Sequence, residues 1–311
     1  MSGERTSTKY GARCGKMAKI PHRAPKGLYT MDNDLELTIA QVIKKYDLLK
    51  NKLRAKSLGQ HFLCDASLLD KIVSCALPLD DSNILEIGAG PCGLTRSIIK
   101  YAGRRKIICI EKDISLKPLH DNLLAHTNAD IKFIYADALK IKLQDLSNEN
   151  FTIISNLPYN VGTQLLLNWL LEITRIKTMV LMFQKEVANR IYAKVGTKNY
   201  GRLSVISQIS CDCEKCFDVA STAFFPPPEV QSSVVKLTPK RERPHDISKL
   251  EKLTALCFQY RRKTVSTILK KKYSQSILDC LSICDIPQST RPEDISPEKF
   301  LELSNVLPTS A

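Results

Sequence analysis

The sequence predicts an α/β fold, in which a doubly wound, mostly parallel sheet is followed by a small all-helical region. Two patterns lead to this prediction. From Asn83 onward, short apolar runs alternate with amphipathic stretches, as in proteins whose strands and helices alternate along the chain. From residue 246 to the end, apolar residues recur only at helical spacing, interrupted by helix-breaking prolines.

The predicted strands are the short apolar runs, and the predicted helices are the amphipathic stretches between them. We assign strands to residues 83–87, 106–110, 131–135, 151–155 and 178–183. We assign helices to residues 94–101, 115–126, 163–171 and 184–194. Two later apolar runs, at 203–211 and 232–237, have no long helix between them. We therefore predict that both are strands that extend the sheet.

Composition divides the chain into four parts. Residues 1–30 hold seven Lys or Arg and one Glu. We predict that they form a basic, disordered extension that precedes a natural start at Met31. An organelle presequence is the alternative. Residues 31–55 are predicted as an N-terminal helical segment, and 56–240 as the domain that carries the sheet. The polar stretch 238–244 is flanked by prolines and is typical of a linker, here to a helical domain at 245–311.

The chain is strongly basic, with 46 Lys and Arg against 32 Asp and Glu and a formal net charge of +14. This excess favours a polyanionic partner or an anionic surface. No run of about 18 uninterrupted apolar residues occurs, so we expect no membrane span. The 11 cysteines are irregularly spaced, which is typical of reduced thiols in a cytosol. Cys211, Cys213 and Cys216 lack a second paired cluster, so we expect no zinc site.

A glycine-rich turn follows the first predicted strand. Gly88-Ala89-Gly90-Pro91-Cys92-Gly93 has the G-x-G-x-x-G spacing, and Glu111 closes the second strand. Such turns let the backbone approach a nucleotide while a carboxylate binds its ribose, which fits NAD, FAD or S-adenosylmethionine. Glu86 would repel a pyrophosphate and suits the cationic S-adenosylmethionine, and Asp137 could accept from the adenine amine. The alternatives are a surface charge for Glu86 and a helix N-cap for Asp137.

The tetrapeptide Asn156-Leu157-Pro158-Tyr159 directly follows the fourth predicted strand. The Asn156 side chain and the Leu157 carbonyl offer two hydrogen-bond acceptors. Pro158 restricts the backbone on both sides of its peptide bond, so these acceptors would be held in a fixed direction. Tyr159 offers a ring face. The set suits the exocyclic amine of adenine or cytosine, and the alternative is an ordinary strand-to-helix turn.

Six motifs follow one another along the chain. They are Lys56-Ser57-Leu58-Gly59-Gln60-His61-Phe62-Leu63, Glu86-Ile87-Gly88-Ala89-Gly90, Asn156-Leu157-Pro158-Tyr159, Met182-Phe183-Gln184-Lys185-Glu186-Val187-Ala188, Tyr200-Gly201-Arg202-Leu203-Ser204 and Phe224-Phe225-Pro226-Pro227-Pro228-Glu229-Val230. Together they resemble the motif series of the ribosomal RNA adenine N6,N6-dimethyltransferases. The likeness is greatest to the bacterial type that dimethylates two adjacent adenosines near the 3′ end of small-subunit (16S) rRNA. It runs from about Lys56 to Pro308.

This resemblance implies a Rossmann-like class I methyltransferase sheet with a small C-terminal all-helical domain, and S-adenosyl-L-methionine as the cofactor. It assigns cofactor contacts to His61, Leu63, Gly88, Glu111, Asp137 and Asn156. Asn156 and the Leu157 carbonyl would accept the target amine, and Tyr159 and Phe224 would sandwich the base. The family usually has Asn where this chain has His61, and an Asn is common where it has Thr267. No metal is implied.

The expected partner is small-subunit rRNA in a ribosomal precursor particle. Three basic clusters are candidates for its docking surface: Lys240-Arg241-Glu242-Arg243, Arg261-Arg262-Lys263 and Lys270-Lys271-Lys272. We expect a monomer without membrane association, in the bacterial cytoplasm, with an organelle matrix as the alternative location.

Three other functions compete with this interpretation. The chain could be the relative that methylates a large-subunit rRNA adenine, which the triple proline 226–228 disfavours. It could be an organellar transcription factor of the same fold, against which the intact residues 156–159 argue. A NAD(P)-dependent oxidoreductase is the third alternative, and it leaves Asn-Leu-Pro-Tyr unexplained.

Overall fold

The computed structural model of the protein describes residues 34–49, 60–244, 246–273 and 276–308. The predicted basic extension, residues 1–30, lies outside these ranges. The described part of the predicted N-terminal helical segment holds a 3-10 turn at Asp34–Glu36 and helix α1 at Ile39–Lys45. Helix α1 begins after Thr38, whose hydroxyl accepts a hydrogen bond from the Gln41 amide and so satisfies one free N–H group of the first turn.

The sheet of the described chain is mixed and mostly parallel. Its strands, with two short additional ones, are β1 (Phe62–Leu63), β2 (Asn83–Ile87), β3 (Ile107–Glu111), β4 (Ile131–Tyr135), β5 (Phe151–Asn156), β6 (Ile176–Gln184), β7 (Cys211–Val219), β8 (Phe224–Phe225) and β9 (Ser232–Pro239). The sheet order is β4-β3-β2-β5-β6-β9-β7. Strands β2 to β6 are parallel, and β9 is antiparallel to β6 and β7. The predicted α/β fold class is confirmed.

The central strands are mostly apolar because helices cover both faces of the sheet. Every residue of β2 and β3 is buried, whereas the edge strand β4 is only partly buried. This burial explains why the apolar runs predicted these strands well. The bounds of the five predicted core strands move by no more than two residues, and the run at 232–237 is confirmed as part of β9.

The helices of the described chain after α1 are α2 (Ala66–Ser74), α3 (Gly93–Ala102), α4 (Lys117–Ala125), α5 (Leu143–Leu146), α6 (Gly162–Leu171), α7 (Lys185–Ile191), α8 (Arg202–Ser210), α9 (Ser248–Gln259), α10 (Val265–Tyr273), α11 (Ser276–Ile283) and α12 (Pro297–Val306). No helix among the described residues is long and apolar enough to cross a membrane. The helix predicted at 184–194 ends earlier, at Ile191.

One prediction is wrong: residues 203–211 are not a strand, because 202–210 form helix α8. The helix is buried on nearly all sides, and its serines at 204, 207 and 210 are as inaccessible as its Ile and Val residues. Small buried serines let neighbouring helices approach and remove the amphipathic pattern that identifies a helix. The Ser204 hydroxyl accepts a hydrogen bond from the Gly201 amide and fixes the helix start.

Helices α9 and α12 pack on α8, helices α10 and α11 pack on those two and on each other, and all four share the hydrophobic cluster of α8. Phe258 lies between Tyr200 and Phe300, with ring centroids 6.0 and 5.7 Å away. The Tyr200 hydroxyl donates to the Ile295 carbonyl at 2.7 Å. Strand β9 continues to Pro239, so the first two residues of the predicted linker belong to the sheet. One continuous hydrophobic cluster thus joins the C-terminal helices to the sheet domain.

Candidate active site

A cavity opens at the carboxyl ends of the parallel strands. The chain places β3 and β4 on one side of β2 and then returns to place β5 on the other side. Ligands of such sheets bind where the strand order reverses. The cavity has an empty volume of about 1100 Å³, including its open mouth, and it is lined by residues that follow β2, β3, β4 and β5 and by β1.

The glycine turn forms the floor of this cavity. Gly88 and Gly90 have φ angles of +73° and +52°, a region that side chains with a Cβ rarely adopt. A Cβ at Gly90 would lie 3.3 Å from the Phe62 ring. The Gly90 amide donates to Glu111 Oε2 at 2.9 Å, and the Asp113 amide donates to Oε1 at 2.8 Å. Glu111 is thereby fixed at the end of β3, with lone pairs left on both oxygens.

Glu86 is buried, with only 1% of its surface exposed, so the surface-charge interpretation is wrong. Its Oε2 accepts hydrogen bonds from the Thr95 hydroxyl at 2.7 Å and the Cys109 thiol at 3.7 Å. Burial raises its pKa to about 7, against the hydrogen bond from Thr95. The side chain joins β2 to α3 and to β3 behind the glycine turn, and it reaches the cavity wall.

Asp137 is a cap, as one interpretation of the sequence predicted, and its contact with the cofactor adenine stays a prediction. Its Oδ1 accepts from the Leu139 amide at 3.1 Å and caps a 3-10 turn at Ala138–Lys140. Its Oδ2 pairs with the Lys112 ammonium at 2.9 Å, and this hydrogen bond holds the pKa of Asp137 below its usual range. Asp137 also lines the cavity, so the cap positions a carboxylate at the site.

The tetrapeptide 156–159 forms the wall opposite Glu111. The Pro158 carbonyl accepts from the Val161 and Gly162 amides at 3.2 and 3.0 Å, so α6 starts directly after the turn. The Tyr159 hydroxyl is 2.6 Å from the Ser232 hydroxyl at the start of β9, which fixes its ring. Among the described residues, none forms a hydrogen bond with the Asn156 side chain. Asn156, Leu157 and Tyr159 all line the cavity.

His61 and Leu63 lie at the cavity beside this wall. The His61 ring stacks on Tyr159 with a centroid distance of 5.7 Å and an interplanar angle of 25°. Its Nδ1 is 2.8 Å from the Pro226 carbonyl, to which it donates because a carbonyl only accepts. Thus His61 connects the segment before β1 to the segment after β8.

Phe224 is the predicted site residue that does not line the cavity. It pairs with Leu63 and is 4% exposed, within the second hydrophobic cluster of the sheet. Its neighbour Phe225 is 50% exposed. The stacking role of Phe224 stays a prediction.

Sequence reasoning missed His120, a fully buried residue of α4. Its Nε2 lies 2.9 Å from the Gly90 carbonyl and its Nδ1 lies 2.9 Å from the Tyr135 hydroxyl. Because the carbonyl only accepts, Nε2 carries the proton in the neutral ring and Nδ1 accepts from Tyr135. Burial lowers the pKa of His120, which keeps the ring neutral. Nothing in the sequence marks this histidine, since its partners come from two other elements.

The cysteines that the structure describes form no metal or disulfide site. Cys211, Cys213 and Cys216 lie along β7, and the cysteines of the described chain are free thiols. Within the described residues, no group of three or more His, Cys, Asp or Glu side chains is arranged to hold a metal ion.

Comparisons with known proteins identify the family. Residues 51–308 match the family described as Ribosomal RNA adenine dimethylase. The chain is 43% identical to Ribosomal RNA small subunit methyltransferase A of Agrobacterium fabrum, covering 81% of this chain and 92% of the relative. It is 40% identical to the protein of the same name from Zymomonas mobilis, covering 88% and 96%.

Solved structures agree with this match. A dimethyladenosine transferase from Plasmodium falciparum superimposes with a TM-score of 0.66 at 28% identity, covering 78% of this chain and 96% of that one. The 23S rRNA methyltransferase ErmE gives 0.58 at 26% identity, covering 79% and 99%. These likenesses confirm the class I methyltransferase sheet. With a matching family spanning most of its residues and relatives at 40% identity or more, this chain belongs to the ribosomal RNA adenine dimethylases.

Proposed function

We propose that the protein transfers methyl groups from S-adenosyl-L-methionine to N6 of two adjacent adenosines near the 3′ end of small-subunit rRNA. The product would be N6,N6-dimethyladenosine, made during ribosome biogenesis. The observation that carries the proposal is the convergence of Asn156, Leu157 and Tyr159 with Gly88 and Glu111 around one cavity. Acceptors for an amine and groups suited to a nucleoside cofactor thereby share a single space.

The cavity fits S-adenosylmethionine better than a dinucleotide. Gly88 and Gly90 line the cavity without a Cβ and adopt positive φ angles, so the backbone of the turn can approach a ligand closely. Glu86, Glu111 and Asp137 surround the turn, which disfavours a pyrophosphate. Glu111 has lone pairs available for ribose hydroxyls, and Asp137 has them for the adenine amine. When bound, the cofactor would supply an electrophilic methyl group.

The residues of this chain would hold the amine that receives the methyl group. The lone pair of adenine N6 is delocalised into the ring, so the free amine is a poor nucleophile. Hydrogen bonds from N6 to the Asn156 side chain and the Leu157 carbonyl would favour a more tetrahedral nitrogen and direct its lone pair. No base with a shifted pKa is required, because the proton can leave after transfer. Positioning of the two reactants would supply most of the rate.

The basic clusters differ in how free they are to bind RNA. Lys240 and Arg243 donate to the backbone carbonyls of Gln208 and Lys240, and Arg261 donates to Glu293 and to the carbonyls of residues 197 and 198. Lysines 270, 271 and 272 are exposed at the end of α10. They support a phosphate contact more strongly than the other clusters do. Action on a precursor particle, as a monomer in the cytoplasm, belongs to the same proposal.

The test is exchange of Asn156 for alanine. We expect Asn156→Ala to abolish methyl transfer while RNA binding and thermal unfolding stay near those of the wild type. The matched control is Asn168→Ala, which removes an amide of α6 that bonds only Gln164 among the described residues. Near-normal turnover of Asn156→Ala would overturn the acceptor role. Calorimetric titration with S-adenosylmethionine and with NAD separates the proposal from the oxidoreductase alternative, since only the first should bind.

A further inference from the structure

Phe225 is an exposed aromatic residue held in a rigid backbone. It belongs to the antiparallel pair β1–β8, in which Phe62 is its partner. Phe62, Leu63 and Phe224 are all buried, at 4–6% exposure, whereas half of Phe225 is in contact with solvent. The following Pro226 restricts the Phe225 backbone to extended conformations. The ring is therefore presented to solvent by a backbone that has little freedom left to lose on binding.

Phe225 does not itself line the active-site cavity, but its strand partner and its chain neighbour both contact residues that do. Residues directly opposite in an antiparallel pair project to the same face, so Phe225 is on the face of Phe62. Phe62 lines the cavity and contacts Gly90. On the other side, the Pro226 carbonyl accepts from His61, whose ring stacks on Tyr159. Phe225 is thus joined through Phe62 to the glycine turn and through Pro226 and His61 to Tyr159, which places it beside the cavity.

We infer that Phe225 is the stacking platform for the nucleobase adjacent to the adenosine whose amine is in the cavity. The inference rests on the proposed function. When one of two neighbouring adenosines enters the cavity, the other is one phosphodiester away and must lie at the mouth. A phenylalanine face stacks on any nucleobase, and the extruded strand has lost its own stacking partners. Phe225 would thereby position each adenosine while the other is methylated.

The experiment combines a protein change with an RNA change. Methyl transfer to one adenosine is measured with RNA in which the other adenosine is intact or is replaced by an abasic nucleotide. For Phe225→Leu, which keeps an apolar side chain but lacks a π face, we expect kcat/KM for RNA to fall about 5- to 150-fold, the range that one base stack contributes. The Kd for S-adenosylmethionine should stay unchanged. Phe225→Trp should retain most of the activity.

The abasic substrate makes the test specific. On it, the wild type should lose as much activity as Phe225→Leu loses on intact RNA, and Phe225→Leu should lose little more. Leu171→Ala is the matched control, because Leu171 is 48% exposed at the end of α6, away from the mouth. Unchanged kcat/KM in Phe225→Leu, or losses that multiply when both changes are combined, would overturn the inference. Failure of the wild type to methylate intact RNA would instead overturn the proposed function.

Discussion

Exchange of His120 for phenylalanine tests how the glycine turn is held. Phenylalanine keeps the stacking on Phe133, whose ring centroid is 4.2 Å away, but removes the hydrogen bonds to the Gly90 carbonyl and the Tyr135 hydroxyl. Each such bond contributes about 1 kcal/mol net, and a buried carbonyl left without a donor costs about 1–3 kcal/mol. We therefore expect the free energy of unfolding to fall by about 2–3 kcal/mol.

Urea unfolding at pH 8 measures this loss, and calorimetry measures the effect on the cofactor. The carbonyl that His120 binds belongs to Gly90, whose amide donates to Glu111. Loosening of this residue should weaken S-adenosylmethionine binding by about tenfold, roughly 1.4 kcal/mol. The matched control is His126→Phe, since among the described residues His126 bonds only the Asn122 carbonyl one helical turn earlier. We expect this control to leave cofactor affinity unchanged.

The loss should also depend on pH. Burial lowers the pKa of His120 in the folded protein below the value of about 6.5 in the unfolded chain. As the pH falls below about 6.5, the unfolded chain takes up a proton that the folded protein does not, so wild-type stability falls. The phenylalanine variant has no such titrating group. The difference in the free energy of unfolding between the wild type and the variant should therefore become smaller as the pH falls from 6.5 to 5. If the free energies of unfolding at pH 8 differ by less than about 0.5 kcal/mol and the two proteins bind the cofactor equally well, the positioning role of His120 is refuted.

Two further predictions concern charge. Burial raises the pKa of Glu86 to about 7 in the folded protein, above the unfolded value, so unfolding free energy should fall as the pH rises past about 4.5. Without cofactor, the free energy of unfolding of Glu86→Gln should exceed that of the wild type by about 1–3 kcal/mol at pH 8 and equal it at pH 4.5. Urea unfolding at both pH values measures this difference. A difference that does not change with pH would contradict the prediction. When lysines 270, 271 and 272 are changed to glutamine, the slope of log K for RNA binding against log salt concentration should become shallower by about 2–3. Fluorescence anisotropy measures this slope. The control Lys117→Gln removes a lysine that is already paired with Asp121, and it should leave the slope unchanged.

The central strands β2, β3, β5 and β6 could be predicted because most of their residues are buried from both faces. The edge strand β7 was not predicted, and most of its residues are partly or fully exposed. Helix α8 could not be predicted, because its buried serines remove the polar face that marks a helix. The pair β1–β8 has no local signal either. It consists of two residues on each side, joined across more than 160 positions, and pairings of that separation depend on the completed fold.

The candidate site could be predicted where a residue follows a strand. Gly88, Glu111, Asp137 and Asn156 all stand at strand ends, which a parallel sheet brings to one edge. His120 was missed because its position depends on contacts with Gly90 and Tyr135. Which of the two adjacent phenylalanines, 224 or 225, is exposed follows from their pairing with residues 62 and 63, which the sequence does not reveal.

In the proposed function, the protein dimethylates two adjacent adenosines of small-subunit rRNA. The most direct measurement incubates undermethylated small ribosomal subunits with the protein and S-adenosylmethionine carrying a labelled methyl group, and then maps the modified nucleotides. We predict label on two neighbouring adenosines near the 3′ end, as N6,N6-dimethyladenosine, with none for Asn156→Ala. Label on a large-subunit adenine instead, or equal label with Asn156→Ala, would contradict the claim.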